Sequence, residues 1–188
     1  MELKKFFFLI LYYGLFRNLP DIYDHPAFTI FNNLRSWSAR GLFKKCGSHV
    51  NVHQGARFGL GNEIFVGENS NLGVNVYING RGGVKIGCNV LMGPDVIIYT
   101  GTHTFDDLET PIHLQPMIYK PVFIEDDVWI GARTVIMPGI TIGKGSVIGA
   151  NSTVTKDIPP YVVAVGSPAR IIRERRQKSR ESSDQAKT

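Results

Sequence analysis

Five histidines and two cysteines are the side chains of this sequence that could act as bases or nucleophiles near neutral pH. His103 lies in a polar segment and is followed within four residues by Asp106 and Asp107. A neutral imidazole can take a proton from a hydroxyl group, and an acceptor on its second ring nitrogen fixes the required tautomer. That acceptor could be Asp106, Asp107 or a backbone carbonyl. His103 is therefore the candidate general base, with an exposed loop histidine as the alternative.

The remaining histidines and both cysteines are weaker candidates. His113 falls in the same polar segment and could line a cleft there. The other three histidines are expected at the surface: His25, His49 and His53. Cys46 and Cys88 show neither a metal-site spacing nor a disulfide framework, which indicates a reducing compartment. Cys88 is expected to be an exposed thiol and not a nucleophile, and no metal site is predicted.

Aliphatic residues recur at every sixth position in the C-terminal half of the chain: Ile124, Ile130, Ile136, Ile142, Ile148 and Val154. A period of six does not match an α-helix, which repeats every 3.6 residues, but it suits short strands that turn a corner. Three such strands make a coil of about eighteen residues with its aliphatic side chains inward. Glycine is expected at the corners, where φ is positive or a side chain would clash. The predicted fold is mainly β, a parallel β-solenoid.

The same register appears earlier in the chain but is interrupted twice. One series is in step over residues 66–78 and a second over 86–98, with a two-residue slip near 81–83 between them. The polar and proline residues of 102–117 suit no inward coil position. We expect a loop that leaves the solenoid at about residue 101 and returns near 118. Long excursions from a regular scaffold often carry function.

Both ends of the chain lie outside the repeat. Residues 1–48 are predicted as a helical region, with an amphipathic helix over 26–45. The apolar run 6–16 is too short to span a bilayer, which needs about 20 residues. We expect a helix packed on the protein body or on a neighbouring subunit, with an in-plane membrane contact as the alternative. The β-solenoid domain is expected over 49–168, followed by a closing C-terminal helix and basic tail over 169–188.

The net charge is +5, and much of it lies near the C-terminal end, in Arg170, Arg173, Arg175, Arg176, Lys178 and Arg180. A solvated surface is one explanation for this cluster. Attraction for coenzyme A or for membrane phosphates is the other. No nucleic-acid-binding motif accompanies the charge, so nucleic acid is not an expected partner.

Several short motifs carry a resemblance to a known family: residues 124–132 (IEDDVWIGA), 138–139, 147–150, 154–160 and 166–170. Together they resemble the hexapeptide-repeat O-acetyltransferases. The likeness covers about residues 45–173 and is strongest to enzymes of capsule, colanic-acid and O-antigen polysaccharides and to maltose and galactoside acetyltransferases. The resemblance implies a left-handed parallel β-helix and a homotrimer with active sites between adjacent subunits.

The resemblance also implies direct transfer of an acetyl group from acetyl-CoA to a sugar hydroxyl, without a covalent enzyme intermediate. His103 matches the general base of the family. Three residues are implied on the acceptor side: Asn79, Asp106 and Trp129. Six are implied to contact acetyl-CoA: Ala132, Ala150, Thr155, Lys156, Arg170 and Arg173. The N–H of Ala132 would stabilise the oxyanion, and the two arginines would meet the cofactor phosphates.

The role expected from this resemblance is surface polysaccharide biosynthesis in the cytoplasm, with a peripheral contact at the inner membrane left open. A xenobiotic acetyltransferase that modifies an antibiotic is the main alternative. It would share His103 and differ in the acceptor pocket, at residues 75–81 and 101–120. Carbonic anhydrases of the same fold need three histidines around zinc and match poorly. A non-catalytic or ice-binding solenoid would leave the histidine loop unexplained.

Overall fold

The six-residue period folds into stacked coils, as predicted. The computed structural model describes residues 3–175. It is mainly β, and one of its sides stacks five parallel strands plus a bridge at Ile158, so the solenoid has about six turns. All six aliphatic residues of the series from Ile124 to Val154 are buried. Their stacking forms one continuous apolar core along the solenoid axis.

Each coil has three sides, and equivalent sides pair in parallel from coil to coil; strands are numbered in chain order. Side A contains β1 Lys45–Cys46, β3 Ile64–Val66, β6 Val84–Ile86, β11 Val122–Ile124 and β14 Thr141–Ile142. Side B contains β2 Asn51–Val52, β4 Asn71–Leu72, β7 Leu91–Met92, β12 Trp129–Ile130, β15 Val147–Ile148 and β17 Val162–Val165. Side C contains β5 Tyr77–Asn79, β8 Ile97–Tyr99, β13 Val135–Ile136 and β16 Thr153–Val154.

Two kinds of residue make the tight corners possible. Glycine after the inward aliphatic residue is required by close approach of the next coil. A Cβ atom on Gly93 would lie 2.7 Å from the Ala132 nitrogen, and one on Gly131 would lie 2.5 Å from the Ala150 nitrogen. Left-handed backbone, with φ of 56–58°, falls instead on other corner residues: Asn69, Asn75, Asn89, Asp95, Asp127, Arg133 and Asn151. Asparagine and aspartate tolerate this conformation better than most residues.

The corner between sides C and A, called here the long corner, breaks the strict period. Register partners Lys45, Phe65 and Lys85 are twenty residues apart, whereas Phe123 and Thr141 are eighteen apart. The slip predicted near 81–83 is therefore present, and the coil before it carries the same two extra residues. The earlier insertion lies outside the aliphatic series predicted from the sequence, which begins at residue 66.

The chain leaves the solenoid at the next long corner and forms an arm. β9 Gly101–His103 pairs antiparallel with β10 Met117–Tyr119, and a short 3-10 helix, Ile112–Leu114, lies between them. This agrees with the predicted loop, because the hydrogen bonds of residues 104–116 are mainly to other residues of the arm. The first and last residues of the arm are held together by the strand pair.

Helices cover the first coil. α1 Leu3–Leu9 continues as a π-helix, Ile10–Phe16, and α2 Thr29–Arg40 follows a 3-10 turn, Pro26–Phe28. The helix predicted over 26–45 thus ends five residues early, because the next residues enter the first coil and Lys45 opens β1. None of the helices within residues 3–175 has the length and hydropathy to cross a bilayer.

The described chain ends on a strand and not on the predicted closing helix. β18 Arg170–Glu174 runs antiparallel to β17 at the edge of side B. Ile171 and Ile172 are β-branched and favour a strand, and only a strand can pair the open backbone edge of β17. The closing helix predicted within residues 169–188 is therefore wrong for residues 170–174. The rest of that predicted helix and basic tail, residues 176–188, lies outside the described residues.

A buried polar cluster fixes α2 to the first coil. The Arg35 side chain is fully buried and donates to the carbonyls of Leu19 and Val52, both at 2.8 Å, and to the Asp21 carboxylate at 2.9 Å. The His53 Nδ1 lies 3.0 Å from the same carboxylate, and its ring stacks on Tyr23. His53 is therefore buried, and its predicted position at the surface is wrong.

The Asp21 carboxylate is the centre of this cluster. Burial alone would raise the pKa of Asp21, but hydrogen bonds from His53 and from the Gln54 N–H outweigh it and hold that pKa below its usual range. The carboxylate consequently stays ionised at neutral pH and pairs with Arg35. Sequence analysis missed the cluster because its members are far apart along the chain and share no motif.

Replacing Arg35 with methionine is expected to lower the free energy of unfolding by about 3–5 kcal/mol, because the buried Asp21 carboxylate loses its charged partner. Urea unfolding followed by circular dichroism measures the change. Lys44→Met is the control, because the Lys44–Glu63 pair is half exposed and should contribute no more than about 1 kcal/mol. Equal losses in the two variants would contradict the role given to Arg35.

Candidate active site

His103 ends strand β9 of the arm, and its ring is exposed. Its Nδ1 lies 3.3 Å from the backbone carbonyl oxygen of Gln115. A carbonyl can only accept a hydrogen bond, so Nδ1 carries the proton and the neutral ring keeps its lone pair on Nε2. This is the tautomer that a base acting through Nε2 needs.

The two aspartates after His103 do not orient its ring. The Asp107 carboxylate accepts hydrogen bonds from the backbone N–H groups of Glu109 and Thr110, at 2.9 and 3.3 Å, and so closes a local turn. Hydrogen bonds from Thr110 and Glu109 lower the pKa of Asp107. Asp106 is exposed and forms no hydrogen bond or ion pair with any residue in the range 3–175. Of the three acceptors considered from the sequence, the structure selects the backbone carbonyl.

Gln115 is buried inside the arm and holds its loop together. Its side-chain Nε2 donates to the carbonyls of Asp107 and Thr110, both at 2.7 Å. Because the Gln115 carbonyl also accepts from His103, the packing of the loop sets the orientation of the imidazole. Sequence analysis did not select Gln115, since a glutamine in a polar loop carries no signal that it is buried.

A cleft of about 720 Å³ lies at the long corners of the first two coils. Its lining includes Asn62, Glu63, Asn79 and Arg81. The Arg81 Nη1 lies 3.4 Å from the hydroxyl of Tyr119 on β10, so the cleft and the arm are contiguous. Amide, carboxylate and guanidinium groups at one cleft offer both donors and acceptors, which suits a ligand rich in hydroxyl groups.

Asn79 is held beside the arm through its backbone. The Thr100 hydroxyl and N–H both donate to the Asn79 carbonyl, at 2.5 and 3.2 Å, and the Gly82 N–H donates to the Thr100 hydroxyl at 2.9 Å. Thr100 precedes β9, so these bonds tie the cleft wall to the strand that carries His103. The Asn79 side-chain amide has no hydrogen-bond partner in the part of the chain that the structure describes.

Trp129 lies in a different place, in a groove of about 650 Å³ on side B. Its side chain stands in register between Leu91 and Val147 and is 51% exposed, as its outward coil position predicted. Arg173 of β18 lines the same groove. The groove therefore combines an apolar floor with a guanidinium group.

The other residues assigned to the cofactor are spread over two corners. Ala132 and Ala150 are stacked at the corner between sides B and C, and the Ala132 N–H has no acceptor among residues 3–175. Thr155 and Lys156 are exposed at a long corner, and Arg170 is exposed at the start of β18. One chain thus brings Asn79 and His103 to one region but places Trp129 and Ala132 in another.

Comparison with known proteins identifies the fold and the family. The description "Bacterial transferase hexapeptide (six repeats)" matches residues 121–156, and "Hexapeptide repeat of succinyl-transferase" matches residues 63–102. The chain is 41% identical over 138 residues to the galactoside O-acetyltransferase of Escherichia coli (strain K12). That alignment covers 71% of this chain and 64% of the relative, so the chain spans just under two thirds of that protein's length.

Two solved structures match over nearly the whole chain. A hexapeptide-repeat containing acetyltransferase from Vibrio cholerae has a TM-score of 0.77 and 32% identity, covering 92% of this chain and 91% of that one. A maltose O-acetyltransferase from Clostridium difficile 630 has a TM-score of 0.75 and 37% identity, covering 93% and 87%. The chain belongs to the hexapeptide-repeat acetyltransferase family.

A second structure of the Vibrio cholerae protein is a complex with acetyl-coenzyme A, matched here with a TM-score of 0.74 and 33% identity over 90% of this chain and 84% of that chain. This agrees with acetyl-CoA as the cofactor predicted for a hexapeptide-repeat acetyltransferase.

Cys46 and Cys88 are not among the residues of the candidate site. Burial raises the pKa of the Cys46 thiol to about 11, and Cys88 is half-buried rather than exposed as predicted.

Gln115→Leu is expected to loosen the arm of this hexapeptide-repeat acetyltransferase without unfolding the solenoid. The change leaves the Asp107 and Thr110 carbonyls without their buried donor, at a cost of about 1–3 kcal/mol. Hydrogen exchange should speed up at backbone amides of residues 104–116 and stay unchanged in β11 to β16. Leu114→Ala, an exposed change in the same loop, is the control and should leave exchange as it was. Wild-type protection in Gln115→Leu would show that the glutamine does not hold the loop.

Proposed function

We propose that this protein is an acetyl-CoA-dependent O-acetyltransferase that acts on a sugar hydroxyl. The observation that carries the proposal is the bond from His103 Nδ1 to the Gln115 carbonyl, in a member of an acetyltransferase family. It leaves a base at Nε2 on the arm, and the arm contacts the cleft, which has polar and apolar side chains, through Tyr119. The galactoside and maltose acceptors in the names of its relatives support a sugar as the acceptor.

The transfer proceeds in one displacement without a covalent enzyme intermediate. The His103 Nε2 takes the proton from the acceptor hydroxyl while the hydroxyl oxygen attacks the thioester carbonyl carbon. The tetrahedral intermediate then collapses and the bond to sulfur breaks. The CoA thiolate accepts the proton from the imidazolium, which returns His103 to its neutral form. The unpaired N–H of Ala132 can donate to the developing oxyanion. Products are the acetyl ester and free CoA.

The acceptor lies in the cleft at the long corner, and the donor lies along the coils. Asn79 presents its free side-chain amide to the acceptor, and Asp106 lies on the same loop as His103. Trp129 forms a wall of the groove on side B. Ala150, Thr155 and Lys156 contact the pantetheine arm, while the guanidinium groups of Arg170 and Arg173 meet the phosphates.

The active site is completed between copies in a homotrimer. In one chain His103 and Ala132 belong to different corners, separated by a side of six residues that can span about 20 Å. A base must lie within about 3 Å of the hydroxyl that attacks the thioester. A neighbouring copy that sets its donor groove against the arm satisfies this requirement. The exposed apolar side chains of the arm, such as Phe105 and Leu108, favour such a contact.

Surface polysaccharide biosynthesis in the cytoplasm is the process we assign to this activity. An antibiotic acetyltransferase would use the same base, so the acceptor panel decides between the two. The polar lining of the cleft, with Asn62, Glu63 and Asn79, favours a saccharide. The peripheral membrane contact expected from the sequence stays a prediction, and its structural basis is the N-terminal helix.

His103→Ala is expected to lower kcat for sugar acetylation about a hundred-fold or more, because a general base contributes 10²–10⁴-fold. Release of CoA thiol is measured with mono- and oligosaccharides, nucleotide sugars and antibiotics as acceptors. CoA binding, measured by calorimetry, should be retained. His113→Ala, an exposed change in the same loop, is the control and should keep most activity. Full activity in His103→Ala would remove the proposed mechanism.

Two inactive variants should restore activity when they are co-expressed, if the site is shared between copies. Ala132→Phe blocks the donor groove and keeps His103, whereas His103→Ala keeps the groove. Random assortment in a trimer then places both intact residues at roughly a quarter of the sites. Specific activity of the co-expressed protein is compared with that of each variant alone. No recovery in a mixed oligomer would mean that both residues act within one chain.

A further inference from the structure

The N-terminal helix has an apolar stripe that faces away from the protein. Leu3, Phe6, Phe7 and Ile10 are 85%, 45%, 53% and 51% exposed. Their spacing of i, i+3, i+4 and i+7 puts them on one face of a helix. The opposite face carries Tyr12, which is fully buried against the first coil. The helix is thus apolar on both faces, and only one of them is covered.

Helix α2 extends this stripe. The ring of Trp37 is half exposed and meets the Phe8 ring edge-on, with centroids 5.2 Å apart, and Phe7 meets Phe8 in the same way at 5.7 Å. The exposed apolar surface is therefore contiguous across two helices. We call it the N-terminal patch: Leu3, Phe6, Phe7, Ile10 and Trp37.

Positive charge is concentrated in the part of the chain that carries the patch. Residues 1–48 carry seven basic and three acidic side chains, whereas residues 49–175 carry ten basic and eleven acidic ones. Lys4, Arg40, Lys44 and Lys45 are all exposed. The C-terminal end of α2 lies against the patch helix, because a Cβ atom on Gly41 would overlap the Phe8 ring. Arg40 at that end therefore lies near the apolar stripe, and Lys4 belongs to the patch helix itself.

We propose that the N-terminal patch docks in the plane of an anionic phospholipid surface. Apolar side chains enter the headgroup boundary, and the surrounding lysines and arginine contact lipid phosphates. The helical segment is too short to span a bilayer, which leaves an in-plane position. A second copy is the less suitable occupant, because a symmetric contact would bring two positively charged ends together. This docking goes beyond the proposed activity and does not require it.

Docking would hold the cleft next to the lipid surface. The Lys5 ammonium donates to the Asn62 side chain, and the Tyr13 hydroxyl donates to the Gly59 carbonyl at 3.1 Å. Gly59 and Asn62 both line the cleft, so the patch helix packs directly on one of its walls. If the proposed transferase activity holds, the acceptor class this favours is a sugar attached to a membrane lipid.

The test is co-sedimentation of the full-length protein with vesicles, which needs no acceptor and no activity. Wild type should bind vesicles of mixed phosphatidylcholine and phosphatidylglycerol, bind pure phosphatidylcholine weakly, and detach as salt rises. The double variant Phe7→Ser, Ile10→Ser should weaken binding at least about tenfold, because two exposed apolar side chains no longer enter the lipid. Ile172→Ser removes an equally exposed apolar side chain from β18 and should bind as wild type does.

Three results would overturn the docking proposal. The first is no binding of wild type to anionic vesicles. The second is unchanged binding by the double variant. The third is a fall in oligomer size for the double variant in analytical ultracentrifugation without vesicles, which would assign the patch to a second copy. Turnover of a soluble sugar by the same proteins reports separately on the proposed activity, so failure of one proposal does not hide failure of the other.

Discussion

Close contact between successive coils is the constraint on which the rest of this structure depends. Each coil donates backbone hydrogen bonds to the next, such as Gly93 N–H to the Ile130 carbonyl and Gly131 N–H to the Ile148 carbonyl, both at 2.8 Å. At that spacing the corner glycines cannot carry a Cβ atom, and the inward aliphatic residues form one buried cluster along the axis. The repeated contact between adjacent coils therefore stabilises the solenoid. An insertion is tolerated only where it leaves those coils in contact.

The long corner is where this protein concentrates its insertions, and the candidate site is built from them. Two extra residues widen that corner in each of the first two coils, and the third coil sends out the arm there. The cleft, the Thr100 bonds to Asn79, and His103 all follow from insertions at one edge. After Val122 the next coil returns to eighteen residues and the last is shorter, with Val147 and Val163 sixteen residues apart; small residues such as Ala132 and Ala150 stand at their corners. The cleft and the groove on side B thus arise from the same repeat, which carries insertions in one half and none in the other.

The parts of this architecture that follow from local periodicity could be predicted, and the parts that follow from long-range partners could not. The six-residue period predicts the inward positions and the departure of the arm, and His103 is recognisable by its place where the third coil gives way to the arm. Gln115 and His53 are buried by partners distant in sequence, so their roles leave no local pattern. The terminal strand is not predictable from its local sequence, because the deciding factor is the edge of β17 with which it pairs.

The N-terminal helices are held on the first coil, close to the residues that line the cleft. Tyr12 donates to the Ala56 carbonyl at 2.9 Å, and Tyr13 accepts from the Phe58 N–H at 3.0 Å, so the patch helix is attached to the residues that begin the cleft. The Arg35 cluster holds α2 on the same coil. Any surface that binds the outer face of these helices is therefore linked by hydrogen bonds to the cleft wall. A membrane contact there would set the position of the cleft relative to the lipid through those bonds.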